Sequence, residues 1–349
     1  MFLRGVLHFM KLKSRLFRSA AAPAIAQPQA QLPQLTQQQI EEMVSDAAEA
    51  TRSPEPIPIT ETSEFKAWFS GSEVVDDDGK PLKVYHGTTH DFDRFKVKGN
   101  PEGFYGQAFY FTDSIVDVNE NYATDAGADI TSRIEQRAER IMEEIQDAED
   151  TGEYFGGWGT EEHDKLYEEA KNRAKAEIQG THKGVVMPVY LCMRKPVIVQ
   201  PRGGTYFDIM FNEETGEESG SGMRLYNKFI NIGWKYDFDG QDMWSKMELD
   251  PEFTAHEFER EVRGVESLLD YGGAGQIILD LYRSMGFDGI IQSAWAEFGP
   301  KQTPYPTRGM TMDRGTKHYI VWNPRQIKSA IGNKGTFNRR SPRITSSIS

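Results

Sequence analysis

Val84-Tyr85-His86-Gly87-Thr88 is the stretch on which the fold reading turns. β-Branched and aromatic residues around the histidine favour an extended strand. Glycine directly after the imidazole lets a ligand come close to the backbone, because no Cβ stands in the way. Alone, a strand-end histidine is more often a structural ring, so its meaning comes from its neighbours. Gly106-Gln107-Ala108-Phe109-Tyr110-Phe111-Thr112 reads as a second strand. Side chains alternate along a strand, so Tyr110 faces away from Phe109 and Phe111. A tyrosine placed this way can stack on a planar heterocycle or pack as a half-buried strand residue. His318-Tyr319-Ile320-Val321-Trp322 is a third strand of the same character.

The chain has 349 residues, 38% of them hydrophobic, and a net charge of −13. A core can form, with much of the chain left in loops or exposed helices. The charge is uneven. Residues 1–40 carry Arg4, Lys11, Lys13, Arg15 and Arg18 and no acid, and residues 301–349 carry ten basic residues against Asp313 alone. The acid excess therefore lies between the ends, which argues against broad nucleic-acid binding by the body while leaving the ends able to touch phosphates. Cys192 is the single cysteine, which excludes an intramolecular disulfide and a Cys-rich zinc site. Set in Val189-Tyr190-Leu191-Cys192-Met193, it reads as a buried thiol rather than a nucleophile. No apolar run reaches the roughly 20 residues that cross a bilayer. The opening MFLRGVLHFMKLKSRLFR is basic and amphipathic, compatible with a transit peptide or with attachment to a membrane surface or partner.

Residues 1–18 form this basic segment, and 19–61 an Ala-, Pro- and Gln-rich linker with room for a short helix near Gln37–Ala50. The folded part is expected over 62–337, followed by a basic tail at 338–349 that includes Arg339, Arg340 and Arg343. Phe65, Trp68 and Phe69 share a helix face behind an N-cap at Ser63. Residues 128–150 and 160–179 read as two charged helices, a hairpin inserted at about 128–180. Residues 203–247 are weakly patterned, with Gly216–Gly222 as a tip. Further helices are expected at about 252–270 and 274–285, with strands at Val185–Val199, Ile290–Gln292, Tyr319–Trp322 and from Gln326. Many short strands with helices inserted between them, rather than alternating, give an α+β class.

Several motifs now fall in order. They are Phe65-Lys66-Ala67-Trp68-Phe69, Gly79-Lys80-Pro81-Leu82, Tyr85-His86-Gly87-Thr88, Phe92-x-x-Phe95, Gly106-x-x-Phe109-Tyr110-Phe111-Thr112-Asp113 with Asn121-Tyr122-Ala123, Gly286-Phe287-Asp288-Gly289, and Tyr319-Ile320-Val321-Trp322-Asn323-Pro324-x-Gln326. Each is weak alone, but their order carries weight. Together, over about residues 63–337, they resemble the ADP-ribosyltransferase superfamily in its diphtheria-toxin/PARP-like (H-Y-E) branch. Within it they are most similar to the ADP-ribosyltransferase-like domains of phage and prophage polyvalent proteins.

The resemblance implies a split β-sheet core and NAD as substrate. His86 would bond a ribose hydroxyl, and the Gly87 backbone would hold the nicotinamide carboxamide. Tyr110 would stack on nicotinamide, with Thr88 and Tyr122 completing the NAD-binding set. The implied chemistry is cleavage of the nicotinamide N-glycosidic bond through an oxocarbenium-like transition state, which a carboxylate stabilises. Here the chain departs from the family: His318 stands where a glutamate is expected. A neutral imidazole exchanges hydrogen bonds but brings no negative charge. Glu297 and Asp313 are alternative carboxylates. The implied activity is mono-ADP-ribosyl transfer or NAD glycohydrolysis by a phage- or prophage-encoded protein, acting in the bacterial host cytoplasm or carried in the virion. A host protein is favoured over a nucleic acid as acceptor. The competing reading is a catalytically degenerate fold that serves as a virion-associated or host-protein-binding module.

Other groupings carry less. His86, His90, Asp91 and Asp93 lack a completing distant ligand and read as a turn rather than a metal site. Gln326 reads as structural, Phe92 and Phe95 as core anchors. Trp234, Tyr236 and Trp244 read as packing within the 203–247 insertion or as an acceptor face. No P-loop, dinucleotide fingerprint or G-x-S-x-G motif is present.

Overall fold

The computed structural model describes residues 58–90, 92–96, 103–123, 128–149, 159–179, 184–247, 249–265, 273–299, 310–333 and 337–345. The basic opening segment, the linker up to residue 57 with its expected helix, and most of the Tyr154–Gly159 loop lie outside the described residues.

Eleven strands are found among the described residues: β1 (Val84–Thr88), β2 (Phe109–Thr112), β3 (Val185–Leu191), β4 (Pro196–Val199), β5 (Tyr206–Asp208), β6 (Met210–Phe211), β7 (Glu218–Ser219), β8 (Glu252–Thr254), β9 (Gly289–Gln292), β10 (His318–Val321) and β11 (Ile327–Ser329). Seven form a mixed sheet in the order β11-β3-β1-β2-β10-β9-β4, and β5-β8 and β6-β7 form two small ribbons. All neighbours in the large sheet are antiparallel except β4 and β9. With its inserted helices this is the α+β architecture expected from the sequence.

Register fixes which side chains share a face. Tyr85 pairs with Thr112, His318 with Thr112 and Gln292, and Ile320 with Tyr110 and Ile290. Paired residues point the same way and neighbours along a strand point opposite ways. One face therefore carries Tyr110, Thr112, His318, Ile320 and Ile290. Its apolar members pack against Phe207, Phe229, Phe258 and Tyr282. The other face carries His86, Phe109, Phe111, Tyr319 and Val321, and packs on Phe92, Phe95 and Val189.

The helix Ser63–Phe69 buries Phe65, Trp68 and Phe69 against Cys192 and Phe337. Its N-cap is Thr62, one residue before the expected Ser63: the Thr62 hydroxyl accepts from the Phe65 amide at 3.2 Å. Helices Ala128–Glu149 and Glu161–Ile178 form the expected hairpin. Its small core is built from Ile130, Ile134, Ala138 and Ile141 with Ala170 and Ala174.

The 203–247 stretch differs from its weakly patterned reading. It holds the β6–β7 ribbon and helices Ser221–Tyr236 and Gly240–Lys246. Leu225, Phe229 and Gly233 are buried at a spacing of one turn. Two glycines hide this helix in the sequence because they lower helix propensity, yet packing requires them. A Cβ on Gly222 would lie 2.9 Å from the Asp208 carbonyl oxygen, and one on Gly233 would lie 2.5 Å from that of Phe238. Trp244 packs among Tyr226, Phe229, Phe253 and Phe258, and the Tyr236 hydroxyl donates to Asp280. Trp234 is 87% exposed, so the three aromatics do not act as one face.

Gln326 ties three segments together. Its amide nitrogen donates to the carbonyls of Cys192 at 3.1 Å and Asp288 at 2.7 Å, and its oxygen accepts from the Asn323 amide at 3.2 Å. Truncation leaves these carbonyls without their donor. Gln326→Ala is expected to lower unfolding free energy by about 2 kcal/mol, measured by urea denaturation. A change within experimental error would show that the tie is dispensable.

Candidate functional site

β1 and β2 share a single register pair, Tyr85 with Thr112, and then separate. The side chain of His86 bridges the opening gap. Its Nδ1 lies 2.9 Å from the carbonyl oxygen of Tyr110. A carbonyl only accepts, so Nδ1 carries the proton and Nε2 is left as an acceptor. The ring sits edge-on among Phe92, Phe95 and tilted to Phe111, with centroids 4.9–6.0 Å away. Burial in this aromatic box pushes its pKa down to about 4, so the imidazole is neutral near pH 7.

The Gly87 backbone faces the same gap. Tyr85 lies opposite Pro188 on β3. Proline has no N–H to give, and the Pro188 carbonyl accepts from Ala330 instead. Hydrogen-bonded and non-bonded pairs alternate in an antiparallel ladder. The pair Gly87–Val186, two residues on, is therefore also non-bonded, and the Gly87 N–H and C=O turn away from β3 toward the gap. Glycine is required by a close neighbour too: a Cβ here would lie 2.6 Å from the Tyr122 Cβ and 2.9 Å from its carbonyl carbon.

Tyr122 ends a short helical turn after β2 (Ile115–Asp117, continuing through Val118–Tyr122). Ser114 caps this turn, its hydroxyl accepting from the Asp117 amide at 3.1 Å and donating to Asp313 at 2.9 Å. Asp117 is fully buried. One carboxylate oxygen accepts from Asn121 at 2.7 Å, and the other lies 2.8 Å from His318 Nε2. The Tyr122 hydroxyl is 3.4 Å from the same nitrogen, and the ring of Phe298 stacks on the imidazole at 5.9 Å. His318 is 93% hidden from solvent (7% exposed).

Tyr110 shares the face of His318. Its hydroxyl accepts from the Tyr105 amide at 2.9 Å and donates to the Gly106 carbonyl at 3.0 Å, so its tip is held by the loop just before β2. That loop is anchored from outside. Gln276 accepts from the Gln107 amide at 2.8 Å, and Arg263 donates to the Phe104 carbonyl at 2.9 Å while its guanidinium lies 3.6 Å from the Phe104 ring centre. Phe104 meets Phe298 edge-to-face at 4.9 Å. Below it, Glu259 accepts from the hydroxyls of Tyr105 and Tyr282 at 2.7 and 3.0 Å. Burial raises its pKa to about 7, against the opposing pull of Arg263.

The backbone of Gly87 and the side chains of Tyr110, Tyr122 and His318 thus gather on one face. The His86 ring lies on the other, coupled to them through the Tyr110 carbonyl. The Thr88 hydroxyl accepts from the His90 amide at 3.1 Å, which serves the turn after β1. Of the alternative carboxylates, Glu297 faces His256 at 3.9 Å and Asp313 bonds Ser114. The carboxylate beside His318 is Asp117, which sequence reasoning missed. Its only local signal is Ser114-x-x-Asp117, a common cap pattern. A pocket of about 360 Å³ lined by residues including Arg194, Arg283 and Trp322 includes none of His86, Tyr110 or His318.

Chemically, this face offers a backbone donor and acceptor pair, two aromatic rings, and an imidazole backed by a buried carboxylate. Residues 76–180 match the family model described as ADP-ribosyltransferase in polyvalent proteins. That span includes His86, Gly87, Thr88, Tyr110, Asp117 and Tyr122 and ends before β10. No curated protein and no solved structure matches the chain.

Proposed function

We propose that this chain, which carries an ADP-ribosyltransferase-like domain, is an NAD-dependent mono-ADP-ribosyltransferase or NAD glycohydrolase that cleaves the nicotinamide N-glycosidic bond. The observation that carries the reading is the gap between β1 and β2, where the Gly87 backbone groups and a neutral His86 come together. An amide such as the nicotinamide carboxamide needs one donor and one acceptor, and a backbone N–H and C=O supply both. His86, whose ring lies across the sheet, is tied to the gap by its bond to the Tyr110 carbonyl, and its Nε2 is left to accept from a ribose hydroxyl that enters there. Tyr110, Tyr122 and Thr88 complete the binding set, with His318 at the third catalytic position. A family described from polyvalent proteins favours a phage or prophage setting, with action in a bacterial host or delivery with the virion, and a host protein as acceptor. Among the described residues no helix is long and apolar enough to cross a membrane.

Calorimetric titration with NAD tests the binding half. Wild type is expected to bind, with His86→Ala and Tyr110→Ala each weakening affinity by about tenfold or more, the worth of one lost hydrogen bond or aromatic stack. Equal affinities in all three would refute this placement of NAD. Binding without release of nicotinamide would favour the non-catalytic module instead.

A further inference from the structure

We infer that Asp117 and His318 act as a general-base pair for an acceptor that begins as a neutral hydroxyl, water being the smallest example. This deepens the NAD-cleaving reading and rests on it. The juxtaposition joins residues 201 positions apart: a fully buried carboxylate and a nearly buried imidazole, 2.8 Å between Oδ2 and Nε2. As a carboxylate, Asp117 can only accept, so Nε2 carries the hydrogen and Nδ1 is the ring's accepting nitrogen. Asn121 fixes the other carboxylate oxygen at 2.7 Å and is itself held by the Thr311 carbonyl at 2.7 Å. Phe298 stacked on one side and Tyr122 edge-on at 5.9 Å set the plane of the imidazole. An imidazole whose tautomer, plane and counter-charge are all fixed is arranged to take a proton.

The step balances. The acceptor oxygen bonds to the ribosyl C1′ as the bond from C1′ to the nicotinamide nitrogen breaks. The electron pair leaves with nicotinamide, which departs neutral. The hydroxyl proton passes to His318 Nδ1 and then to solvent. Asp117 is a positioning residue here: it stabilises the imidazolium that forms and supplies the negative charge that an imidazole alone lacks. Among the described residues, the other charged or titratable groups around His318 are Tyr122 on the same turn as Asp117, Glu297 beside Phe298, and Asp113, Asp313 and Lys317 near the start of β10. Glu297 faces His256, Asp113 accepts from the Lys317 backbone amide and Asp313 accepts from Ser114, while the Tyr122 hydroxyl lies 3.4 Å from Nε2.

The test is the pH dependence of kcat/KM for nicotinamide release from NAD. In Asp117→Asn the amide can keep its oxygen on Asn121 and turn its NH2 toward His318. That moves the ring hydrogen to Nδ1 and removes the acceptor. Turnover is expected to fall by about 10²-fold or more, with KM nearly unchanged. His318→Glu alone is expected to be equally poor, because it seats two carboxylates in one buried site where both cannot ionise. The double variant Asp117→Asn/His318→Glu is expected to recover at least about tenfold over either single variant, with its acid limb moved to lower pH as a carboxyl replaces an imidazole. Asp117→Asn within about twofold of wild type, or His318→Glu faster than wild type, overturns the pair. If Asp117→Asn fails to fold, His318→Gln carries the same test: undiminished turnover there also overturns it. A wild type with no turnover overturns the NAD-cleaving reading and this inference with it, whereas turnover indifferent to the variants overturns this inference alone.

Discussion

Gly87→Val is expected to reduce NAD turnover by about 10²-fold or more, with a smaller loss of stability. A side chain here meets the Cβ of Tyr122 at 2.6 Å, its carbonyl carbon at 2.9 Å and the Ala123 amide nitrogen at 3.0 Å. Two of these are backbone atoms, so the turn itself has to move. That turn carries Tyr122 and, five residues earlier, Asp117. Displacing it pulls the carboxylate from His318 and shifts the wall facing the β1–β2 gap. A misplacement of about 1 Å is enough to cost two orders of magnitude in rate. The loss of unfolding free energy is that of overpacking, about 1–3 kcal/mol. Steady-state turnover and urea denaturation on the same preparation check both numbers. Near-normal turnover would separate the turn from the chemistry.

The second large effect is a pair of opposed pH dependences. His86 has a folded pKa near 4, below its ordinary 6.5, because burial disfavours the imidazolium. The folded state therefore binds fewer protons, and stability present above pH 6.5 is lost as pH falls toward 4. Glu259 has a folded pKa near 7, above its ordinary 4.5, because burial disfavours the carboxylate. Its stabilisation is present below pH 4.5 and is lost as pH rises through 7. Each shift corresponds to at most about 3 kcal/mol, and across the shared window the two cancel. Removing one unmasks the other. Relative to wild type, Glu259→Gln is expected to gain stability as pH rises from 4.5 to 7, and His86→Gln to gain it as pH falls from 6.5 to 4. Urea midpoints across this range check the signs, and parallel profiles for both variants and wild type would contradict them.

The strands around His86, Tyr110 and His318 were legible because alternation of aromatic and β-branched residues is a local signal that tertiary packing reinforces. The helical hairpin was legible for the same reason, its isoleucines recurring at helical spacing. The helix Ser221–Tyr236 was not, because Gly222 and Gly233 are chosen for close backbone approach and weaken the pattern that reveals a helix. The candidate site was open to sequence reading only in its residue types. Residue identity marked His86, Gly87 and Tyr110, but which face each occupies follows from register. Register places the His86 ring across the sheet from Tyr110 and His318. The sequence also pointed to a missing negative charge at His318. It held no sign that Asp117 stands 2.8 Å away, because a pairing across 201 residues leaves no periodic trace and a Ser-x-x-Asp cap is ordinary.

Release of nicotinamide from NAD labelled in the nicotinamide ring is the most direct measurement. Purified wild-type protein is expected to release label above the rate of spontaneous hydrolysis, with His86→Ala and Tyr110→Ala reduced to background. Release by wild type no faster than by the two variants would contradict the assignment of NAD cleavage to the gap between β1 and β2.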